Sequence, residues 1–404
     1  MCKGEIAVLY GKTIVALCIP RIQDASNHKF ITTFAKSLSA QNGRLFVYST
    51  TSELYWKNID EQGEKAVFDL INYEVTDAVV IHDEFIKDKD TVRQLISAAH
   101  SHGIPVIVIG AHYTGCIRVS FDYIAGFAQV VRHVIEKHNV RNIHMIAGIK
   151  DNQFSDERID VVRKLADEYG IGFGDEDISY GEFWSVPTEN AVEQLFVRRR
   201  RLPQAIFCAN DIMAITAVSV LKRHGIRVPE DIIVTGFDGI KDVQYCTPQI
   251  TTCLCSSEHL ASTVADVIMK RLSGESVPEE VLVVPELQTS ASCGCTAAVR
   301  VNPSEELTYI NNSFNRFQLE EEHMFRMISR VLRCKDIPGV ADVLDRYEFY
   351  DLVIALNPEC TERMFNPLER GSGANYGDMV KIIYNTNYPM HGRIDDMRTM
   401  DLHP

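Results

Sequence analysis

Two clusters of polar residues close two apolar runs within residues 205–238. Asn210-Asp211 follows Ile206-Phe207-Cys208-Ala209, and Gly236-Phe237-Asp238 follows Ile232-Ile233-Val234-Thr235. Between them, Ile212 to Lys222 carries apolar residues at helical spacing, and Gly225 ends the pattern. Strand, helix and strand in that order make a crossover unit of a parallel sheet. Ligands of open α/β sheets bind beyond the carboxyl ends of the strands, so both polar clusters are expected to line one crevice. Carboxylates and carboxamides there accept from ligand hydroxyls, a guanidinium offers a planar set of donors, and an aromatic wall covers a ring face.

The ordered set of motifs around this unit resembles the effector-binding domain of the lactose/galactose-repressor family, itself similar to periplasmic sugar-binding proteins. The matching residues are Ala209-Asn210-Asp211, Gly225-Ile226-x-Val228-Pro229-x-Asp231, Val234-x-Gly236-Phe237-Asp238 and Pro248-x-Ile250-Thr251-Thr252. Upstream, Val119-x-x-Asp122-Tyr123-x-x-Gly126 follows the family pattern with Tyr in place of Asn, and Arg158 occupies the family's Ser-x-x-Arg position. The resemblance covers residues 13 to 295. It implies a bilobed ligand-binding domain whose lobes are joined by crossings near 139–142, 250–256 and 280–285. Its implied contact set is Asp122, Arg158, Asn210 and Asp238, with Phe183 and Trp184 as candidate stacking rings. In the first ligand loop, Pro20 to Phe30, the residue correspondence is not fixed.

Each of these residues also has a purely structural role open to it. Asn210 and Asp122 could cap helices, Asp238 could close a strand-end turn, and Arg158 could form a surface ion pair. Phe183 and Trp184 could simply pack. Asp211 is expected to be the helix cap of its pair and is left outside the contact set.

These side chains need a rigid frame. Residues 13 to 110 alternate strands (Thr13-Ile19, Leu45-Ser49, Ala78-His82, Val106-Ile109) with helices (Lys29-Gln41, Gln62-Tyr73, Thr91-His102), the pattern of a doubly wound parallel sheet. A second series begins at Ile143 after a helix from Ile124 to His138, and a helix Glu258-Leu272 and strand Val281-Val284 complete the body. The fold class is therefore α/β, with two doubly wound parallel-sheet lobes. Residues 1–12 are a leader and 13–295 the sensor. In 296–335, Leu307, Ile310, Phe314, Phe317, Met324, Ile328 and Val331 fall at three- and four-residue spacings that only Glu321 interrupts. That stripe suits a short coiled coil or one amphipathic helix lying on a neighbouring domain. Residues 336–404 read as a partial sensor-type domain resembling GAF, with one strand at Tyr350-Asn357 and a polar, Gly-rich stretch from Pro367 to Tyr376.

Composition limits the alternatives. A formal charge of −14 disfavours unaided contact with nucleic acid. No apolar run reaches the roughly 18 residues of a membrane span. Eleven cysteines, several in buried strands, point to a reducing cytoplasm and not to a disulfide framework. Arg198 to Arg201 closes a helix before Pro203, where cations offset the helix dipole. Cys253-x-Cys255 and Cys293-x-Cys295 are spaced too closely for a usual zinc knuckle and have no His or Cys pattern beside them, so no metal is expected. No nucleophile elbow, phosphate loop or activated base is present, so no enzyme activity, catalytic residue or cofactor is expected.

The expected function is small-molecule sensing, of a sugar or related metabolite, in a bacterial transcription or signalling regulator. Lobe closure would be relayed through the C-terminal helix of a homodimer to an output domain or partner. Only about twelve residues precede the first strand, so no DNA-binding element is expected in this chain. Two alternatives stand: a transport-linked sugar-binding protein, or the truncated sensor of a GGDEF-type diguanylate cyclase, whose arrangement the helix and tail resemble although no such motif occurs.

Overall fold

Thr13-Ile14-Val15-Ala16-Leu17-Cys18 has no charged residue, and all but the first are buried. A strand covered on both faces reads this way, and such strands belong to parallel sheets. The computed structural model describes residues 11–22, 24–55, 59–198, 202–296, 303–334, 339, 343, 353–356, 379–385 and 395–398. The stretches Arg199 to Arg201 and Pro367 to Tyr376, and the 1–12 leader except for 11 and 12, lie outside the described residues.

Residues 1–61 and 76–302 make one unit. Its chain runs β1 (Thr13–Cys18), α1 (Ala25–Ala40), β2 (Gly43–Tyr48), β3 (Ala78–His82), α2 (Lys89–Ser101), β4 (Val106–Ile109) and β5 (Ile117–Phe121). It continues with α3 (Tyr123–Lys137), β6 (Ile143–Ala147), α4 (Gln153–Glu168), β7 (Ile178–Tyr180), α5 (Ser185–Arg198), β8 (Ala205–Cys208), α6 (Asp211–Arg223), β9 (Ile233–Thr235) and β10 (Thr252–Leu254). It ends with α7 (Ser257–Leu272), β11 (Glu280–Val283) and β12 (Glu286–Gln288).

Six parallel strands in the order β11-β5-β4-β3-β1-β2 form the first lobe, and four parallel strands, β7-β6-β8-β9, form the second. The expected two-lobed α/β class is thus what the chain adopts. β10 and β12 pair antiparallel, and single bridges at Thr235–Thr251 and Asp238–Leu254 tie them to the end of β9.

Each lobe has its own core. Phe127, Val130, Val131 and Val134 of α3 pack into the second core, whereas Leu260, Val264 and Ile268 of α7 pack into the first. The first crossing therefore falls at Asp122, between β5 and α3, and not at 139–142. The helix expected after it already belongs to the second lobe, because its apolar face matches that lobe's sheet. α7 returns the chain to the first lobe after Cys255, and β12 leaves it after Val284.

The second unit comprises residues 62–75 and 303–404. In its first segment the helix expected over 62–73 is in part present, as the end of an α-helix at Ile59–Glu64 that a 3-10 helix at Lys65–Leu70 continues. Its second segment holds α8 (Pro303–Val331) and an antiparallel sheet of β13 (Val353–Leu356), β14 (Met379–Asn385) and β15 (Asp395–Arg398). β14 and β15 are additional to the one strand expected in this stretch; Asp395-Asp396-Met397-Arg398 has no β-branched residue to announce it.

Candidate functional site

Beyond the carboxyl end of β3 the chain turns through Asp83 and Glu84, and these acids open onto a cavity of about 670 Å³. The first lobe lines it with Asp83, Glu84, Lys89 and Arg118, and the second with Tyr123, Phe154 and Glu157; Asp122 lies at the join. Asp83 is buried and accepts from the Tyr113 hydroxyl at 2.7 Å and from Lys89 Nζ at 2.8 Å. The Tyr123 hydroxyl donates to both Glu84 oxygens, at 3.2 and 3.0 Å. Burial raises the Glu84 carboxyl above its ordinary range, and the Tyr123 hydroxyl opposes that rise.

Arg158 lies one turn into α4, with only 6% of its surface exposed. Its guanidinium sits 4.9 Å from the Phe237 ring centre, 5.6 Å from that of Tyr123 and 6.0 Å from that of Phe127. One terminal nitrogen donates to the Phe154 carbonyl at 2.8 Å, and the buried Nε has no hydrogen-bond partner. A cation in an aromatic cage with a donor unspent is not the surface ion pair that was its structural alternative. Asp238 follows Phe237 with φ of 107°, a backbone region that side chains rarely adopt. Its carboxyl is pushed up to about 7, chiefly by burial, with Arg158 acting in the opposite direction.

Asn210 and Asp122 are both helix caps. Asn210 accepts from the Met213 amide at 2.9 Å and Asp122 from the Ala125 amide at 2.8 Å. The carboxamide nitrogen of Asn210 also donates to the Phe183 carbonyl at 3.2 Å. Asp211 is not the cap expected of it, because Asn210 holds the extended backbone that a cap needs. The Asp211 carboxylate is buried instead, and one oxygen accepts from the Gly239 and Ile240 amides at 2.7 and 2.9 Å. That ring of bonds fixes the turn behind Asp238. Phe183, at φ of 59°, lies across Gly148 so closely that a Cβ there would meet its ring at 2.0 Å. Trp184 beside it is 61% exposed.

Of the six residues expected at the site, only Asp122 faces the cavity itself; Arg158 stands behind Tyr123, and Asp238 follows Phe237, whose ring lies over the Arg158 guanidinium. The acids that do line it, Asp83 and Glu84, obey the same strand-end rule as Asn210 and Asp238 and could have been found by applying it to Ala78-His82. Glu157 and Phe154 flank Arg158 and carried no separate signal. Cys293-x-Cys295, read as having no partner pattern, is met by His133 and His138, far away in sequence.

The periplasmic binding protein-like domain family matches residues 131–293. The HTH-type transcriptional repressor PurR of Aliivibrio fischeri (strain MJ11) is 30% identical over 163 residues, 40% of this chain and 48% of its own length. The repressor MelR of Bacillus subtilis (strain 168) is 26% identical over 185 residues, 44% of this chain and 53% of its own. The chain spans about half the length of the curated relatives it matches. Among solved structures, the lac repressor dimer bound to operator and the anti-inducer ONPF superposes with a TM-score of 0.55 at 16% identity, covering 72% of this chain and 86% of that one. A complex of the regulator CelR with cellobiose gives 0.53 at 21% identity, covering 71% and 88%. At these identities the structural likeness establishes the fold.

Proposed function

We propose that residues 13–295 sense a small polar metabolite, sugar-like in its array of hydroxyls, on behalf of a bacterial transcription or signalling regulator. The observation that carries this reading is Arg158, buried in three aromatic rings with its Nε unpartnered and Asp238 as the nearby acid. A ligand hydroxyl placed between the two would accept from the guanidinium and donate to the carboxylate. Asn210, Phe183 and Trp184 are the further contacts proposed from the second lobe, and Asp83, Glu84 and Asp122 offer acceptors from the first lobe and the join.

Such a ligand drives a signal only by binding the closed arrangement of the lobes more tightly than the open one. Groups contributed by both lobes meet that requirement, since the full set of contacts exists only on closure. The curated relatives are named as repressors and regulators, which supports regulation over transport or a cyclase sensor as the output. The working protein is a cytoplasmic homodimer, with α8 passing the closure onward.

A thermal-shift screen of pentoses, hexoses and nucleosides tests the reading, because a ligand that binds only the native state raises the midpoint. The expected result is a shift in the wild-type chain that Arg158→Ala and Asp238→Ala each reduce. Loss of a charged hydrogen bond, about 1.5–3 kcal/mol, makes that at least a tenfold fall in affinity. A shift of full size in both variants would move the site elsewhere.

A further inference from the structure

Four metal-ligating side chains meet at the far end of the second lobe, outside the cavity already described. His133 lies in the last turns of α3 and His138 is its C-cap, while Cys293 and Cys295 bracket the turn after β12. One ligand atom from each falls within 4.8 Å of all the others. Cys295 Sγ is 3.5 Å from the Nε2 atoms of both histidines, and Cys293 Sγ is 3.6 Å from Nε2 of His133. We propose that His133, His138, Cys293 and Cys295 form a structural site for a divalent metal ion of the zinc class.

The spacing is what a tetrahedral ion requires. Zn–S bonds of about 2.3 Å and Zn–N bonds of about 2.05 Å at the tetrahedral angle put sulfur and nitrogen about 3.5 Å apart. Three of the four sulfur–nitrogen separations match that figure within about 0.1 Å, and the fourth is under 4.8 Å. Thiol–imidazole hydrogen bonding accounts for less of the arrangement. A thiol at Cys295 could meet both ring nitrogens only by donating to one while accepting weakly from the N–H of the other, yet its Sγ stands equally far from the two. Cys293 Sγ also lies 3.2 Å from the Ser290 carbonyl, to which a thiol would donate. That carbonyl keeps other donors, the Cys293 amide and the Thr251 hydroxyl, when the sulfur becomes a thiolate.

The backbone explains how so short a motif can serve. Gly294, between the cysteines, has φ of 90°, and this left-handed residue reverses the chain so that alternate side chains reach the same point. Five residues along an ideal helix are about 140° apart, which would separate the two imidazoles. His138 avoids this by leaving the helix at the cap, with φ of −108° and ψ of 4°, and its ring centre lies 5.2 Å from that of His133. Two thiolates and two imidazoles suit zinc and its soft or borderline neighbours. Four protein ligands leave no open position, so the role is structural. The ion would fasten the end of the sensor, Ser290 to Cys295, to α3, just ahead of the chain that leads to Pro303.

Metal content and cobalt substitution on the full chain, prepared under reductant, test the proposal. The expected result is about one zinc per chain, replaceable by Co(II) with tetrahedral d–d bands and a thiolate charge-transfer band. Cys295→Ser and His138→Asn should each weaken zinc binding at least tenfold, while Cys246→Ser, outside the cluster, leaves it unchanged. Circular dichroism separates a lost site from a lost fold, and the cobalt spectrum of the wild-type chain does not depend on any variant folding. No stoichiometric zinc and no cobalt bands in the wild-type chain would overturn the proposal. So would zinc retained at full affinity in the Cys293→Ser/Cys295→Ser chain.

Discussion

The Tyr123 hydroxyl holds the Glu84 carboxylate across the join between the lobes, donating to both of its oxygens. Tyr123 packs against both cores, at the residue where the chain passes from one to the other. Where the repressor pattern has an amide, this chain has a phenol that reaches the acid at the end of β3. The bond couples the cavity floor to the hinge.

Tyr123→Phe should therefore destabilise the domain. Hydrogen bonds to charged groups are worth about 1.5–3 kcal/mol, and Glu84 is only partly buried, so the lower end applies. Without the hydroxyl, the Glu84 carboxyl rises further and holds its proton more readily, so the deficit shrinks toward acid pH. Urea unfolding of both chains at neutral and acid pH measures this. Equal midpoints at neutral pH would show that the bond contributes nothing.

Asp211→Ala removes the carboxylate that accepts from two backbone amides, those of Gly239 and Ile240, in a half-buried turn. The Ile240 amide then loses its acceptor while that of Gly239 keeps the Thr252 hydroxyl at 3.3 Å, and an unsatisfied donor costs about 1–3 kcal/mol, so a loss of at least about 1 kcal/mol is expected. Asp211→Asn keeps one acceptor oxygen and should recover part of it. Because the turn carries Asp238, the alanine variant should also weaken effector binding by more than its loss of stability explains. Denaturant titration together with ligand titration separates the two, and full stability in the alanine variant would contradict the assignment.

The parts of this molecule that read well from sequence are those whose signal is local. Ile206 to Asp238 shows its strand-helix-strand order because apolar spacing and strand-end polarity sit in one continuous stretch. Asn210 was recognisable as a polar group at a strand end, yet which of Asn210 and Asp211 caps the helix depends on the backbone angle of one residue. Asp211 could not be assigned its turn-holding role, since its partners are 28 and 29 residues on. The Cys293 and Cys295 sulfurs were set aside for want of neighbours, and their histidines lie more than 150 residues earlier. Packing of α3 against β10 and β12 within the second lobe makes that contact, and no spacing rule records it.

Asp238 gives a pH dependence of definite sign. Its folded carboxyl, at about 7, lies above the ordinary aspartate value of about 3.9, so the folded chain binds the proton more tightly than the unfolded one. Stability is then highest below the unfolded value, falls as pH rises between the two, and stays lowered above about 7. Burial of Asp211 and Glu84 acts in the same direction, so the comparison must be with Asp238→Asn. The amide variant should match the wild-type chain near pH 4 and melt several degrees higher at mildly alkaline pH, at about 2–4 °C per kcal/mol. Melting curves that stay parallel across that range would show that the carboxyl is not held above its ordinary value. Under the proposed function, an effector that donates a hydroxyl to Asp238 favours the ionised form, and its affinity should rise as pH approaches about 7 and level off above it.

Leu307, Phe314, Phe325 and Ile328 lie within a sector of about 60° on α8 at 100° per residue, and all four are exposed, Phe325 to 72%. Burying each large apolar side chain is worth roughly 1.5–3 kcal/mol, so pairing this face with its copy is a sufficient driving force for a dimer. The side chains of Ile310, Phe317, Glu321 and Met324 lie outside the described residues. Sedimentation of the intact chain should show a dimer at micromolar concentration, and Phe314→Glu/Phe325→Glu should weaken it at least tenfold. A monomeric intact chain would remove the dimer from the account. An equally tight dimer in the double variant would leave the dimer in place and take α8 out of its interface.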